Sequence, residues 1–469
     1  MPLRLFGILF GLVLATTGLV ADKPNVLFIA IDDLRNDLGA LGVAHAKTPQ
    51  LDRIARTSRV FSHHYVQVPT CGASRAALLR GRYPNERIFL SNDAIKETSA
   101  DWAGESLPGW FKQQGYRTYA LGKVTHYPGG MAGENWDAPP EEISGVWDRA
   151  WLPDSPWAHA QAMMHAYANG KPRERGVTLP WEAFDGPDKA YPDAWVAEDA
   201  VAHLAELKDA DDPWFFAVGF FKPHLPLSAP KAWHELHADT AFPAPPVAAN
   251  ARQSPGWHSS NELRRNYADG GREVLEDEVY AEELRAAYAA STSYVDHQVG
   301  LVMDALEASG MAEDTIVVVW SDHGFQLGEH NMWAKHTLFE QALRSPLMIR
   351  QPGLKNPGHT SEAIVETVDV FPTLLDLCGL PQPDVPLDGQ SLVPHLHDAD
   401  RPTAKPALGY WRANRSVRDD RWRLIIYPAT DKLPEPAVEL FDMIADPFEL
   451  TNVASEHPDV VKRLQAAIR

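Results

Sequence analysis

Four stretches of this chain read as strands buried on both faces, and each runs directly into ionisable residues. Asn25-Val26-Leu27-Phe28-Ile29-Ala30-Ile31 ends in Asp32-Asp33, and Thr315-Ile316-Val317-Val318-Val319-Trp320-Ser321 ends in Asp322-His323-Gly324. Arg117-Thr118-Tyr119-Ala120-Leu121 leads to Gly122-Lys123 and then His126, and the apolar run 214–221 leads to Lys222-Pro223-His224. Apolar, β-branched runs without alternation belong to a parallel sheet covered by helices on both sides. Helical stretches at 48–57, 197–208 and 282–309 supply the crossovers that parallel strands require. Ligands of such sheets bind beyond the carboxyl ends of the strands, so the fold class is α/β with one shared site at those ends.

Asp32, Asp33 and Asp322 are hard oxygen donors, suited to calcium or magnesium rather than zinc. A lone Asp-Asp pair is ordinarily a turn or helix cap. Acidic clusters at two matching strand ends are different, because converging carboxylates repel one another unless a cation lies between them. His323 is either a further ligand or a neighbour that positions a substrate anion.

Cys71 opens the run Cys71-Gly72-Ala73-Ser74-Arg75-Ala76-Ala77-Leu78-Leu79-Arg80-Gly81-Arg82. Most free cysteines are small buried hydrophobes, and Cys378, inside an apolar stretch, is expected to be one. Cys71 instead follows Thr70 and precedes strong helix formers, which predicts a place in the first turn of a helix, where free N–H groups and the dipole favour an anion. Arg75, one turn on, projects from nearly the same face and would neutralise that anion or hold a nucleophile.

The pattern C-x-A-x-R-x-x-x-L-x-G-R resembles the segment by which type I sulfatases are matured, their cysteine being oxidised to formylglycine. Ala73 stands where most of that family has proline, an accepted variant. The blocks Gly122-Lys123-Val124-Thr125-His126, Lys222-Pro223-His224-Leu225-Pro226 and 322–330 followed by Trp333-Ala334-Lys335 are similar to the same family, and within it most to the iduronate-2-sulfatases. The resemblance runs from residue 25 to about 396 and resumes at 439–452. It implies an alkaline phosphatase-like sandwich, with a large mostly parallel sheet between helices and a smaller C-terminal α+β subdomain. It also implies formylglycine made from Cys71 by a formylglycine-generating enzyme, and one divalent cation, Ca²⁺ ahead of Mg²⁺, at Asp32, Asp33, Cys71, Asp322 and His323. The catalytic set would be Cys71, Arg75, Lys123, His126, His224 and Lys335. His224 would protonate the departing sugar oxygen and His126 take the proton that expels the covalent sulfate, two roles that sequence does not order. The substrate implied is a sulfated carbohydrate, a terminal 2-O-sulfated uronic acid in particular. Phosphonate monoester and phosphodiester hydrolases of the same fold, and a binding protein without turnover, are the rival readings.

A formal charge of −20 argues against nucleic acid and anionic membranes as partners, so any anion site must be a local cluster of cations. Residues 1–21 read as a signal peptide, with Arg4, an apolar core and Leu19-Val20-Ala21, which predicts a secreted or periplasmic protein without stable membrane insertion. The catalytic domain is expected at 22–400 and the subdomain at 401–469, with a linker at 401–406, a strand pair at 416–427 and a closing helix at 457–469. Segments 136–191 and 238–271 give no periodic pattern and read as long loops over the sheet edge, where selectivity would reside. Trp151, Trp157 and Trp181 are candidates to stack on a sugar ring, and Phe325 and His336 to line its pocket.

Overall fold

A computed structural model describes residues 23–131 and 141–468; the signal peptide expected at 1–21 lies outside them. The main sheet contains β1 (Asn25–Ile31), β2 (Arg59–Tyr65), β3 (Arg117–Gly122), β4 (Arg149–Trp151), β5 (Trp214–Phe220), β6 (Thr315–Ser321), β7 (Leu347–Arg350) and β8 (Thr360–Glu366). Their spatial order is β8-β2-β7-β6-β1-β5-β3-β4, and only β7 runs against its neighbours. The first strand lies at the centre, with Val26 beside Phe215 of β5 and Asn25 beside Thr315 of β6, both pairings parallel. All four runs read from the sequence are therefore neighbours in one sheet, in the order β6-β1-β5-β3.

The helices that build the two covering layers and the terminal unit are α1 (Pro49–Thr57), α2 (Cys71–Arg80), α3 (Leu107–Gln113), α4 (Pro192–Leu207), α5 (Asn261–Asn266), α6 (Glu278–Ser309), α7 (Val370–Leu377) and α8 (Pro458–Gln465). Alternate residues of β1 point to opposite faces. Leu27, Ile29 and Ile31 pack with Leu51 of α1, Val196 of α4 and Val299 of α6, whereas Val26, Phe28 and Ala30 pack with Leu78 of α2, Phe111 of α3 and Phe371 of α7. A mostly parallel sheet buried between two helical layers is the alkaline phosphatase-like sandwich that the resemblance implied. Cys378 belongs to the second of these cores, as expected. No described helix is long and apolar enough to cross a membrane.

Past residue 406 the chain forms an antiparallel sheet of β9 (Ala407–Trp411), β10 (Asn414–Arg418), β11 (Trp422–Tyr427) and β12 (Ala437–Asp442), followed by α8. This unit grips the segment that follows β6. Arg423 of β11, only 1% exposed, pairs with Glu340 and, at 2.9 Å, with Glu449. Glu449 accepts in turn from the Glu340 backbone N–H at 2.9 Å. Burial opposes the Glu340 charge, but Arg423, Arg418 and Arg344 hold its carboxyl down at about 2. Trp411 of β9 stacks on His336, ring centroids 5.0 Å apart.

The segments read as loops contain more structure than expected. β4 extends the main sheet by three paired residues, Trp181–Phe184 pairs with Leu227–Pro230, and α5 lies within 238–271. Elements this short carry too few residues for a period to show.

Candidate active site

Asp32 and Asp33 follow β1 directly and are fully buried. Asp33 adopts a left-handed φ of 62°, a conformation that aspartate tolerates better than most residues. Its N–H donates to Asp322 Oδ1 at 3.0 Å and its carbonyl accepts from the Tyr288 hydroxyl at 2.8 Å, so β6 and α6 together hold the turn. Cys71 is the first residue of α2, as its neighbours predicted. Its Sγ lies 3.2 Å from His323 Nε2, 3.5 Å from Lys335 Nζ and 3.9 Å from Asp33 Oδ1. Three residues distant in sequence from Cys71 thus converge on its sulfur.

The cations divide into two tiers. Arg75 is fully buried and faces the carboxylates, its Nε donating to Asp322 Oδ2 at 3.0 Å and its terminal nitrogens to Asp32 Oδ1 at 3.1 Å and the Val124 carbonyl at 3.0 Å. Lys123 binds the other oxygen of Asp32. Both lie beneath the floor of the site. In the second tier, Lys335 donates to Asp33 Oδ1 and Oδ2 at 2.7 and 2.9 Å and opens to a cleft together with Cys71, His126 and His224. Arg75, expected to neutralise an incoming anion or hold the nucleophile, here bonds the two buried carboxylates of Asp32 and Asp322.

Asp32, Asp33, Cys71 and His224 offer ligand atoms within 4.8 Å of one another, as do Cys71, Asp322 and His323. Burial disfavours ionisation of Asp32, but Lys123, His224 and Arg75 hold it well below the usual carboxylate range. Burial raises Asp33 despite Lys335, and burial followed by the charge of Asp32 raises Asp322. The three carboxylates meet Arg75, Lys123 and Lys335, yet burial and the neighbouring Asp32 charge still disfavour ionisation of Asp33 and Asp322. His323 Nδ1 faces the Gly324 carbonyl at 3.0 Å, which turns Nε2 toward Asp33 Oδ1, 3.3 Å away, and the Cys71 sulfur, 3.2 Å away. A cation between these groups would offset the repulsion among the carboxylates. Asp32, Asp33, Asp322 and His323, beside position 71, are residues that could hold a hard divalent ion.

Above this floor lies a cleft of about 1160 Å³. Lys96, Arg173, Arg175, Arg265 and several histidines line it, while Glu262 is the one acidic residue among its described walls. The local cation cluster required by a −20 chain is present. Burial and then the Lys335 and Lys123 charges push His224 well below the ordinary imidazole value; burial and Lys123 do the same to His126. The surroundings of both rings thus disfavour the imidazolium form. His224 Nδ1 points at its neighbour's carbonyl, Leu225 O, at 2.7 Å, which leaves Nε2 facing the cleft.

Two positioning groups escaped the sequence reading. Glu262 of α5 reaches Lys335 Nζ at 3.3 Å, and its carboxylate lies 4.0 Å from His224 Nε2 and 3.7 Å from His336 Nδ1. It sits in a segment without pattern, so nothing marked it. Lys222 is fully buried and donates to the carbonyls of His224, at 3.0 Å, and Pro226, which pins the His224 loop; burial lowers its pKa to about 8. Its place in the block 222–226 was the available clue.

Several aromatic expectations fail. Trp151 stacks on Phe216 at 5.9 Å, and Trp157 is 3% exposed with its indole N–H donating to the Tyr167 carbonyl, so both are core residues. Trp181 packs against His234 and lies outside the cleft lining. Phe325 is buried against Tyr288, whereas His336 does line the cleft.

Comparison with known proteins places this geometry. The family model for sulfatases matches residues 24–380, and that for the C-terminal part of N-sulphoglucosamine sulphohydrolase matches 328–469. Iduronate 2-sulfatase of Mus musculus is 31% identical over 436 residues, covering 81% of this chain and 75% of its own. Choline-sulfatase of Rhizobium meliloti is 31% identical over 467 residues, covering 94% and 84%. The crystal structure of phosphonate monoester hydrolase of Agrobacterium radiobacter superposes with a TM-score of 0.72 at 24% identity, over 95% of this chain and 94% of that one, a likeness of fold.

Proposed function

Because the chain belongs to the sulfatase family of sulfuric ester hydrolases, we propose that this cleft removes sulfate from a carbohydrate, acting in exo fashion on a terminal 2-O-sulfated uronic acid. The observation that carries the reading is the cluster of Cys71, three buried carboxylates, His323 and Lys335 at the floor of a cleft walled by cations. Formylglycine made from Cys71 supplies the attacking hydroxyl, and a divalent ion, calcium ahead of magnesium, supplies charge that orients the sulfate oxygens.

The chain's own residues do the rest. Lys335 stands 3.5 Å from the Cys71 sulfur, close enough to steady negative charge on a sulfate bound there. Arg75 and Lys123 fix the carboxylates from below, so the floor need not reorganise as the S–O bond breaks. His224 presents Nε2 toward the leaving oxygen, and an incoming anionic sulfate favours the imidazolium that its surroundings otherwise disfavour. His126, whose Nδ1 is buried without a hydrogen-bond partner among the described residues, is placed to take a proton in the second step.

The walls favour an anionic glycan over a quaternary ammonium ester. A choline-like group is held by an aromatic cage, and Tyr127 is the one Phe, Tyr or Trp ring among the described lining residues. Secretion or periplasmic export, through residues 1–21, fits the same reading. The test uses protein co-expressed with a formylglycine-generating enzyme and assayed on defined sulfated saccharides. Release of sulfate from 2-O-sulfated uronate ends is expected; desulfation of 6-O-sulfated hexosamines alone would overturn the substrate. Turnover of aryl phosphonate with none of aryl sulfate would overturn the chemistry.

Glu262 orients Lys335 and faces His224. Glu262→Gln keeps the shape and removes the charge, and a charge-assisted contact of this kind contributes roughly 1.5–3 kcal/mol. The expected result is a fall in kcat of about tenfold or more with KM little changed, read by steady-state kinetics on protein that still unfolds cooperatively, at a melting temperature only a few degrees lower.

A further inference from the structure

The arginines of the cleft are not spread evenly. Arg173 and Arg175 come from the loop before Thr178, and Arg265 from α5; the two segments are joined by Gly176 N–H to the Asn266 carbonyl at 3.4 Å and Ala268 N–H to the Thr178 carbonyl at 2.9 Å. The arginines therefore stand along one wall. Its inner end is fixed: Arg173 lies 3.3 Å from His165 Nδ1 and 5.7 Å from the centre of the Tyr267 ring, and the His165 ring lies 5.2 Å from that of His224. The wall thus extends outward from the histidine assigned to the leaving oxygen. It lies on the side where the alcohol departs.

Arg175 and Arg265 form no ion pair among the described residues, in a chain with 63 acidic residues against 43 lysines and arginines. Cations left unpaired on the wall of a cleft, in a protein with such an excess of acid, keep their charge available for a ligand. The cleft, at about 1160 Å³, is also larger than one sugar ring needs.

We propose that Arg173, Arg175 and Arg265 form a second anion subsite on the leaving-group side, so that the alcohol released is itself anionic. This rests on the sulfatase reading of the floor and adds the side chains that would hold the anionic group of the alcohol, which for a uronate is its carboxylate. The group bound is a carboxylate or a further sulfate, either of which matches the guanidinium fork.

The test is equilibrium binding by calorimetry, with three otherwise matched disaccharides: one neutral, one bearing a carboxylate and one bearing a sulfate ester. The first two are titrated into the wild-type protein and the third into Cys71→Ala, where it is not consumed. Each is repeated with Arg175→Ala and Arg265→Ala combined, at exposed positions where the fold is not at stake, and only affinity lost on that change is counted. An anionic ligand is expected to bind at least about tenfold more tightly than the neutral one and to lose that margin in the double variant. Loss confined to the carboxylate identifies a uronate; loss confined to the sulfate ester identifies a second sulfate. Equal affinity for all three, no binding, or a margin that survives the substitutions overturns the subsite. Binding of the sulfate-free ligands does not depend on turnover, so that result stands apart from an aryl sulfate assay, whose failure would overturn the sulfatase reading instead.

Discussion

Cys71→Ala protein is expected to fold and to turn over no sulfate ester. The substitution removes one sulfur atom from the start of α2, where Cys71 contributes nothing to capping; the helix is set by its backbone and by Gly81 in a left-handed turn at its end. What it removes chemically is the precursor of the nucleophile. Deleting the nucleophile of covalent hydrolases costs on the order of 10⁴–10⁶ in kcat, and a loss in that range is expected here. The companion measurement is the mass of tryptic peptide 60–75, which in active enzyme should be lighter than the thiol form by exchange of sulfur and two hydrogens for oxygen. Active enzyme whose position 71 is wholly thiol would remove formylglycine from the mechanism.

Asp322→Asn should cost at least ~10²-fold in kcat, comparable to deleting one preorganised electrostatic group. Asparagine keeps the shape and one of the two acceptor oxygens, which take the Asp33 N–H and Arg75 Nε at 3.0 Å each, so the side chain stays seated while a charge and one acceptor are lost. Replacement by alanine would also take away one of the two carboxylates that the fully buried Arg75 guanidinium pairs with, leaving Asp32 alone, and so mix instability with lost chemistry. Exhaustive chelation should produce a similar loss in the wild type, reversed by calcium better than by magnesium. Full activity in Asp322→Asn, or after chelation, would refute the metal centre.

Sequence disclosed the floor of the site far better than its walls, for a physical reason. A strand buried on both faces must be apolar along its length, so the point where Ile31 gives way to Asp32, or Ser321 to Asp322, stands out in one dimension, and parallel neighbours bring those points together. The tiering of the cations was hidden. Arg75 lies one helical turn from Cys71, yet its guanidinium points to Asp32 and Asp322, which approach it from strands some 40 and 250 residues away in the chain. Glu262, Arg173, Arg175 and Arg265 were invisible because their segments are organised by backbone contacts with each other and carry no period. Trp151 and Trp157 misled in the opposite direction: tryptophan in an unpatterned stretch suggested a platform, but a short edge strand and its loop close over the sheet and need large apolar residues beneath them.

The grip of Arg423 on Glu340 and Glu449 changes what counts as remote in this protein. Lys335 and His336 lie on the segment leading to Glu340, and the terminal sheet holds that segment from behind with a buried ion-pair network and with Trp411 against His336. A substitution in β10 or β11 can therefore shift the lysine without touching any ligand, and it would register as altered catalysis rather than as a local defect. For directed evolution this makes the terminal sheet a productive target alongside the cleft. It also means that a shortened protein ending near residue 400 is no minimal enzyme: it would retain every group on the floor and lose the wedge that keeps one of them in place.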